Sequence, residues 1–220
     1  MRHSDPNSVR ADTLETRERL LGAAVKVFAR HGFGGAGIRV ISAEAGVNVA
    51  LVGYHFGSKE GIYLEVVMQV CAMVNQRLAG AIETATQAAG CADGAAAVEA
   101  ACALLDPLID MVLEAETSDV ARIMLHEQLD PGPGFDMFHQ TLAAPFVELL
   151  GALIARARAV PFGDDERMSA LAIMGMLLIF KSAQASSELL FGAQAWSARR
   201  RQILRQTIAN AVHPTMGGAG

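Results

Sequence analysis

The stretch AGVNVALVGYHFGSKEGIY, residues 45–63, holds the most informative pattern in the chain. A glycine ends one short helical segment, Ile38–Ala45, and a tight turn leads into a second segment, Val49–Phe56. After another glycine, Ser58 is a favourable N-cap for a long helix that starts at Lys59. Two short helices joined by a glycine-containing turn, after a longer first helix, form a helix-turn-helix. That unit places its second helix in the major groove of DNA.

Helical patterns continue on both sides of this stretch. Upstream, Asp12 and Glu15 form a capping-box pattern, and apolar residues recur at helical spacing as far as Gly32. Downstream, breakers separate six further patterns: Lys59–Ala88, Ala95–Glu116, Thr117–Leu129, Phe135–Ala159, Met168–Leu190 and Ala195–Val212. Pro145 predicts a kink or a restart within its helix. The sequence predicts an all-α chain of about nine helices, without strands or internal repeats.

The composition is that of a folded protein. Of 220 residues, 52% are hydrophobic and 19% are charged, which excludes intrinsic disorder. The three cysteines form no CxxC pair, which argues against a zinc ribbon or a redox motif. The most apolar stretch, Met168–Phe180, has thirteen residues, whereas a membrane span needs about 20. Because no signal peptide is visible either, we expect a cytoplasmic protein with no membrane partner.

Charge is distributed unevenly along the chain. The net charge of −5, taken alone, argues against nucleic-acid binding, which normally shows a basic footprint. Residues 1–62, however, hold eight Lys and Arg against six Asp and Glu, a net charge of +2. Residues 63–220 hold ten against seventeen, a net charge of −7. The segment with the helix-turn-helix pattern is therefore the basic part of the chain.

The residues around this pattern resemble the TetR family of transcriptional regulators. The resemblance fills residues 45–63 and includes Phe28, His31–Phe33 and Ile38–Arg39, so that it covers roughly residues 14–63. A shorter run, residues 122–136, resembles the C-terminal domain of the CecR-like subgroup.

The resemblance implies two functional parts. Residues 13–62 would form an N-terminal three-helix helix-turn-helix DNA-binding domain. Residues 63–212 would form a C-terminal helical ligand-binding and dimerisation domain. The ends of the chain, residues 1–12 and 213–220, are expected to be flexible.

The DNA-binding residues are expected on the second and third helices and at the start of the fourth. Tyr54 and His55 are suited to hydrogen bonds with phosphate oxygens, and Ser58 and Lys59 form a phosphate site at a helix N-terminus. The full predicted set is Gly37, Arg39, Asn48, Val49, Ala50, Leu51, Gly53, Tyr54, His55, Ser58 and Lys59.

Base recognition is expected from the first residues of the recognition helix. Asn48 is suited to pairing with adenine, and Val49 to contact with a thymine methyl group. By resemblance, Arg39 reaches the DNA backbone or a base edge, although solvation alone also explains an exposed arginine. Leu51 is either a core residue or a DNA contact. Gly53 stands where the family usually has a larger side chain, which removes one contact.

An effector pocket is expected in the C-terminal part, apolar with a few polar groups. The candidate lining residues are Met73, Met111, Arg122, Met124, His126, Glu127, Gln128, Phe138, Met174 and Phe180. For each methionine the alternative is an ordinary core position. His126 and Glu127 lack the second histidine of an HExxH site, so that no metal and no cofactor is expected.

A homodimer interface is expected on the last two helices. Met168–Phe180 has too little polarity for a monomer surface, and its small residues allow close helix approach. The predicted dimerisation residues are Leu171, Met174, Gly175, Leu178 and Ile203. The alternative is that this helix is buried within its own subunit.

The leading hypothesis is a ligand-responsive, homodimeric repressor. Two copies would bind double-stranded DNA at a pseudo-palindromic operator, and a small hydrophobic or amphipathic effector would release them. One alternative is a transcriptional activator or a ligand-independent regulator. A less favoured one is an all-α small-molecule-binding enzyme, because the sequence shows no catalytic constellation.

Overall fold

The computed structural model describes residues 6–90, 93–114, 117–192 and 197–212, and over these residues the chain is helical without strands. The prediction of an all-α chain is confirmed. The helices are α1 (Pro6–Gly35), α2 (Ile38–Ala45), α3 (Ala50–Phe56), α4 (Lys59–Gly90), α5 (Gly94–Leu113), α6 (Ser118–Leu129), α7 (Phe135–Phe138), α8 (Ala144–Arg158), α9 (Asp164–Ser182), α10 (Gln184–Phe191) and α11 (Ala198–Val212). A π-helical turn, His139–Ala143, joins α7 to α8.

Two predicted helices are each divided in the structure. The pattern Phe135–Ala159 becomes α7, the π-helical turn and α8, and Pro145, where a kink or a restart is predicted, lies in the first turn of α8. A proline is tolerated in that position because its missing N–H has no helical partner there. The pattern Met168–Leu190 becomes α9 and α10, which meet at Ala183, and the acidic residues 164–166 form the first turn of α9.

The first helix differs from its prediction at both ends. It begins at Pro6 rather than at Asp12, so that residues 6–12 of the expected flexible N-terminus are helical. Gly32 has φ 63° and ψ −177°, which interrupts the helix where an end was predicted, and a last turn follows to Gly35. The expected flexible tail, residues 213–220, lies outside the described residues, as do residues 1–5.

Backbone packing divides the chain into two units. The first contains the described residues up to Cys71 together with Arg122–Phe138, and the second contains Ala72–Ala121 and the described residues from His139 onward. The predicted domain boundary at residue 62 stays a prediction. In this division most of α6, and α7, group with the first 71 residues, and His126 and Glu127 of α6 bond to Ala29 of α1 and Tyr63 of α4. The helices α4 and α6 each run from one unit into the other.

An aromatic cluster forms the centre of the first unit. Phe28 meets Tyr63 edge to face at 4.7 Å between ring centroids, and Phe33 lies 4.9 Å from the same ring. The Tyr63 hydroxyl donates a hydrogen bond to Oε1 of Glu127, whose side chain is buried. Burial, and next the bond to Glu127, raise the pKa of Tyr63 well above its ordinary value. This bond attaches the end of α6 to the start of α4.

The loop after α6 requires glycine at two positions. A side chain at Gly132 would lie 3.0 Å from Oε1 of Glu127 and 3.4 Å from Cε1 of Tyr63. A side chain at Gly134 would lie 2.6 Å from a methyl group of Val67. The loop can therefore cover the Tyr63–Glu127 bond closely because these positions carry no Cβ atom.

The second unit is built around α5, which packs against α8, α9 and α11. Apolar residues of α5 such as Leu104, Leu105 and Ile109 are fully buried there. Arg205 on α11 pairs with Asp106 at 2.6 Å and with Asp110 at 2.8 Å, both on α5. These ion pairs fix the position of α11 along α5.

One helical run, Phe135–Arg158, is long and apolar enough by length and composition to span a membrane. It contains α7, the π-helical turn and α8, and α8 packs against α5 and α9 in the core of the second unit. That packing, with Phe146, Leu150 and Leu153 buried, is the arrangement of a core helix in a globular domain.

The tight turn between α3 and α4 predicts a contrast between two glycines. A Cβ atom at Gly61 would collide with the backbone oxygen of Phe56, whereas one at Gly53 would meet nothing within 4 Å. We expect Gly61→Ala to lower the free energy of unfolding by about 1–3 kcal/mol. Gly53→Ala, in a helix, should leave stability unchanged or raise it by up to about 1 kcal/mol. Urea denaturation of both variants checks this, and equal stabilities would contradict it.

Candidate nucleic-acid interface

Gly37 is the N-cap of α2. Its backbone is extended, and its carbonyl oxygen accepts hydrogen bonds from the N–H groups of Val40 and Ile41 at 3.0 and 3.1 Å. Ser42 within the helix donates to the Ile38 carbonyl at 2.7 Å. Gly37 therefore caps the helix through its backbone alone. This first turn leaves the side chains of Ile38 and Arg39 exposed.

Two arginines of α1 hold the helix-turn-helix together. Arg19 donates to the carbonyl oxygens of Ala45 at 2.7 Å and Gly46 at 3.3 Å, at the C-terminal end of α2, where a cation is favourable. Arg17 pairs with Glu65 at 2.7 Å, and its guanidinium lies 5.2 Å from the ring centroid of Phe56. Sequence reasoning did not identify these roles, because nothing local in α1 indicates a partner 26 residues away.

The recognition helix α3 separates a buried side from an exposed side. Val52 is fully buried. Leu51 is half-buried, so that its exposure lies between that of a core residue and that of a DNA contact, the two roles predicted for it. Val49, Ala50, Gly53 and Tyr54 are exposed. The exposed side chains are mostly small or apolar, so that the helix backbone can approach a base edge closely.

Asn48 has a structural partner within its own turn. Its Oδ1 accepts a hydrogen bond from the N–H of Ala50 at 2.9 Å, as an N-cap residue does. Bidentate pairing with adenine uses both the amide oxygen and the amide nitrogen. The predicted pairing therefore competes with the cap for the same oxygen, and the adenine contact stays a prediction.

The start of α4 has the cap that the sequence indicates. Oγ of Ser58 accepts a hydrogen bond from the N–H of Gly61 at 3.0 Å. The ammonium of Lys59 lies 4.5 Å from the ring centroid of Phe33, a cation–π distance. The role of Ser58 and Lys59 in phosphate binding stays a prediction. In the structure without DNA, the lysine side chain lies over the Phe33 ring.

The other predicted contacts lie on the same short helices. Tyr54 is 74% exposed, and its ring meets the half-buried His55 edge to face at 5.0 Å. Arg39 is exposed on α2. Hydroxyl, imidazole and guanidinium donors are thus available for phosphate oxygens, which position a protein on DNA without reading its sequence.

The predicted effector residues fall into both units of the chain. Arg122, Met124, His126, Glu127, Gln128 and Phe138 belong to the first unit, and Met73, Met111, Met174 and Phe180 to the second. His126 makes a 3.2 Å hydrogen bond with the Ala29 carbonyl through Nε2, and Glu127 accepts from Tyr63. Met111, Met124 and Phe138 are buried, as core residues are. Phe180 lines a cavity in the second unit.

The predicted dimerisation residues retain exposed apolar surface. Leu171 and Ile203 are more than half exposed, Gly175 is exposed, and Met174 and Leu178 are half-buried. The opposite side of α9, with Ala170, Ile173 and Leu177, is buried. The alternative of a helix buried within its own subunit therefore applies to that side of α9.

Two family models match the chain. Residues 20–66 match the model of the bacterial regulatory proteins of the TetR family. Residues 98–219, more than half of the chain, match the C-terminal domain of the HTH-type transcriptional dual regulator CecR. The chain is a TetR-family transcriptional regulator. The resemblance read from the sequence is confirmed for both parts. Family members are DNA-binding regulators of transcription and not enzymes.

Relatives and solved structures agree with this membership. The regulator is 25% identical to CecR of Shigella flexneri over 88% of each chain. A stretch of 54 residues is 50% identical to the regulatory protein RaaS of Mycobacterium tuberculosis (strain ATCC 25618 / H37Rv), over 24% of this chain and 25% of that protein. The structure of AibR in complex with isovaleryl coenzyme A and operator DNA matches with a TM-score of 0.62 and 15% identity, covering 89% of this chain and 94% of that one.

The position of Lys59 gives a test of the phosphate site. Lys59→Gln should weaken binding to all DNA sequences alike and reduce the slope of log K against log salt by about one unit. Arg199→Gln, the same charge change at an exposed position on α11, is the control and should leave the slope unchanged. Fluorescence anisotropy over a salt series measures both. A wild-type slope for Lys59→Gln would remove this lysine from the interface.

Proposed function

We propose that this regulator is a homodimeric repressor that a small-molecule effector releases from a pseudo-palindromic operator. The observation that carries the proposal is that α9 has an exposed apolar side. The chain also supplies one recognition helix, α3. A palindromic site requires two such helices, one in each half-site, related by a twofold axis. A second copy of the chain supplies the second helix and covers the apolar side.

The dimer interface is assigned to Leu171, Met174, Gly175 and Leu178 on α9. Their spacing of three and four residues places them along one side of the helix. Gly175 is exposed, and nothing lies within 4 Å of where its Cβ would be, so that a partner helix can approach closely there. An exposed apolar stripe of this kind is costly in water unless a partner covers it.

Ligand response is supported by the path of the chain and by a structural neighbour. AibR, which has the same fold, is known with both an acyl coenzyme A and its operator. In the present chain α4 and α6 each belong partly to the unit that contains the recognition helix and partly to the other. An effector that binds the second unit more tightly in a DNA-incompetent state than in a DNA-competent state would shift the population toward the DNA-incompetent state.

Activation of some promoters is the second candidate. The relative that covers most of this chain carries the name of a dual regulator. Activation and repression both begin with operator binding, so that a reporter gene placed behind the operator distinguishes them by the sign of the response. In either case we place the regulator in the cytoplasm, where bacterial operator DNA is found.

Operator binding itself is tested on the DNA upstream of the regulator's own gene and by selection from random sites. We expect salt-sensitive binding with a clear preference for a pseudo-palindromic sequence. Binding without any sequence preference in both assays would refute the proposal.

The dimer is tested by Leu178→Glu, which puts a charge into the proposed interface. We expect a monomer by light scattering and a loss of operator affinity of at least tenfold, because the two half-sites are no longer bound together. The control is Leu129→Glu on α6, since Leu129 is 72% exposed and lies outside the predicted set. If Leu178→Glu stays dimeric, the interface lies elsewhere.

A further inference from the structure

The ring of Phe33 holds the side chain of Lys59 at the start of α4. The ammonium lies 4.5 Å from the ring centroid, and Lys59 is half-buried although its charged end favours water. Lys59 is the first residue of α4, where the positive end of the helix dipole repels a cation. Without the ring, a lysine at this position would therefore turn its long side chain away from the helix end and into solvent.

An aromatic ring is a suitable partner for a lysine that has to bind a phosphate. A carboxylate would neutralise the ammonium and would compete with the phosphate for its N–H donors. A ring face attracts the ammonium but carries no net charge, and it contacts the group from one side. The N–H donors on the other side stay available for a phosphate oxygen. The contact with Phe33 therefore fixes the place of the cation and leaves its charge uncompensated.

The ring of Phe33 is itself held by the aromatic cluster of the first unit. Its centroid lies 4.9 Å from that of Tyr63 and 6.5 Å from that of Phe28. Tyr63 in turn is fixed by its hydrogen bond to Glu127 on α6. A Cβ atom at Gly132 would lie 3.4 Å from Cβ of Phe33, so that the loop after α6 also packs closely against this residue. The place of the lysine side chain thus depends, through one ring, on α6 and its loop.

We propose that Phe33 is a positioning residue for DNA binding, which keeps Lys59 in the place from which it binds a backbone phosphate. A lysine that is free in solvent loses the rotamer freedom of its long side chain when it binds, whereas a lysine already held over a ring loses less. The ammonium stays over the ring in the DNA complex, so that binding adds the phosphate contact without breaking the contact with Phe33. The inference rests on the phosphate role predicted above for Lys59 and deepens the proposed operator binding.

The experiment is a double-mutant cycle on the full-length protein, with DNA affinity measured by fluorescence anisotropy on the selected operator and on a non-specific duplex of equal length. Phe33→Leu removes the ring and keeps an apolar side chain. We expect it to weaken binding to both duplexes about two- to fivefold, the factor that corresponds to an exposed cation–π contact. In the Lys59→Gln background, Phe33→Leu should have no further effect, because the ring then has no cation to position. Phe33→Tyr keeps a ring face and should bind DNA as the wild type does.

The matched control is Phe28→Leu, which changes the same aromatic cluster. Phe28 is fully buried and its ring contacts those of Phe33 and Tyr63. Any loss of DNA affinity that this variant causes through the core should be the same in the wild-type and the Lys59→Gln backgrounds. Thermal melting checks that each variant is folded at the assay temperature. Should Phe33→Leu be unfolded there, Phe33→Met, which has a flexible side chain and no ring face, takes its place in the cycle.

Three results of the cycle would overturn the inference. Equal losses from Phe33→Leu with and without Lys59 would show that the ring acts through the core alone. Tighter DNA binding by Phe33→Leu would show that the ring holds the lysine away from the phosphate, and unchanged binding would show that the lysine does not need the ring. An unchanged affinity in Lys59→Gln alone would overturn the phosphate role of the lysine together with this inference. Operator binding by the wild type, measured on the same samples, is independent of all these results and tests the proposed regulator separately.

Discussion

The hydrogen bond between Tyr63 and Glu127 is the contact on which the rest of the first unit depends. It joins residues 64 apart in sequence, the first at the start of α4 and the second near the end of α6. Both side chains are buried, so that neither exchanges its partner for water, and loss of one would leave the other's polar atoms unsatisfied. Around this bond Phe28 and Phe33 pack on one side and the loop at Gly132 on the other.

This contact determines how the DNA-binding unit is composed. The helix-turn-helix supplies α1 to α3, but α6 completes their core, with His126 bonded to the carbonyl of Ala29 and Glu127 to Tyr63. The exposed side of α3 is then left for DNA, while Arg17 and Arg19 of α1 hold the ends of α2 and α3. His126 and Glu127, two of the predicted effector residues, thus also hold the first unit together, and their role toward an effector stays a prediction.

The sequence predicts what local rules determine. The helix-turn-helix follows from glycine turns, the cap at Ser58 and apolar spacing, and each appears in the structure. The effector residues stay a prediction, because local patterns do not determine a cavity, which depends on which helices meet. His126 and Glu127 carry polar groups suited to a ligand, and only their packing against Ala29 and Tyr63 reveals that they bond within the protein. Likewise the glycines at 132 and 134 mark a turn in the sequence, but their close approach to α4 is a tertiary feature.

The most direct test of this account is the pH dependence of unfolding in the wild type and in Tyr63→Phe. Burial and the bond to Glu127 raise the pKa of Tyr63 in the folded protein above its unfolded value of 10.0, so that only the unfolded chain releases this proton just above that pH. The stability that Tyr63 contributes is therefore fully present below pH 10 and falls as the pH rises further. We expect the free energy of unfolding of the wild type to decrease relative to Tyr63→Phe, by up to about 1.4 kcal/mol per pH unit, in urea titrations above pH 10. Parallel curves for the two proteins would contradict a buried Tyr63–Glu127 bond.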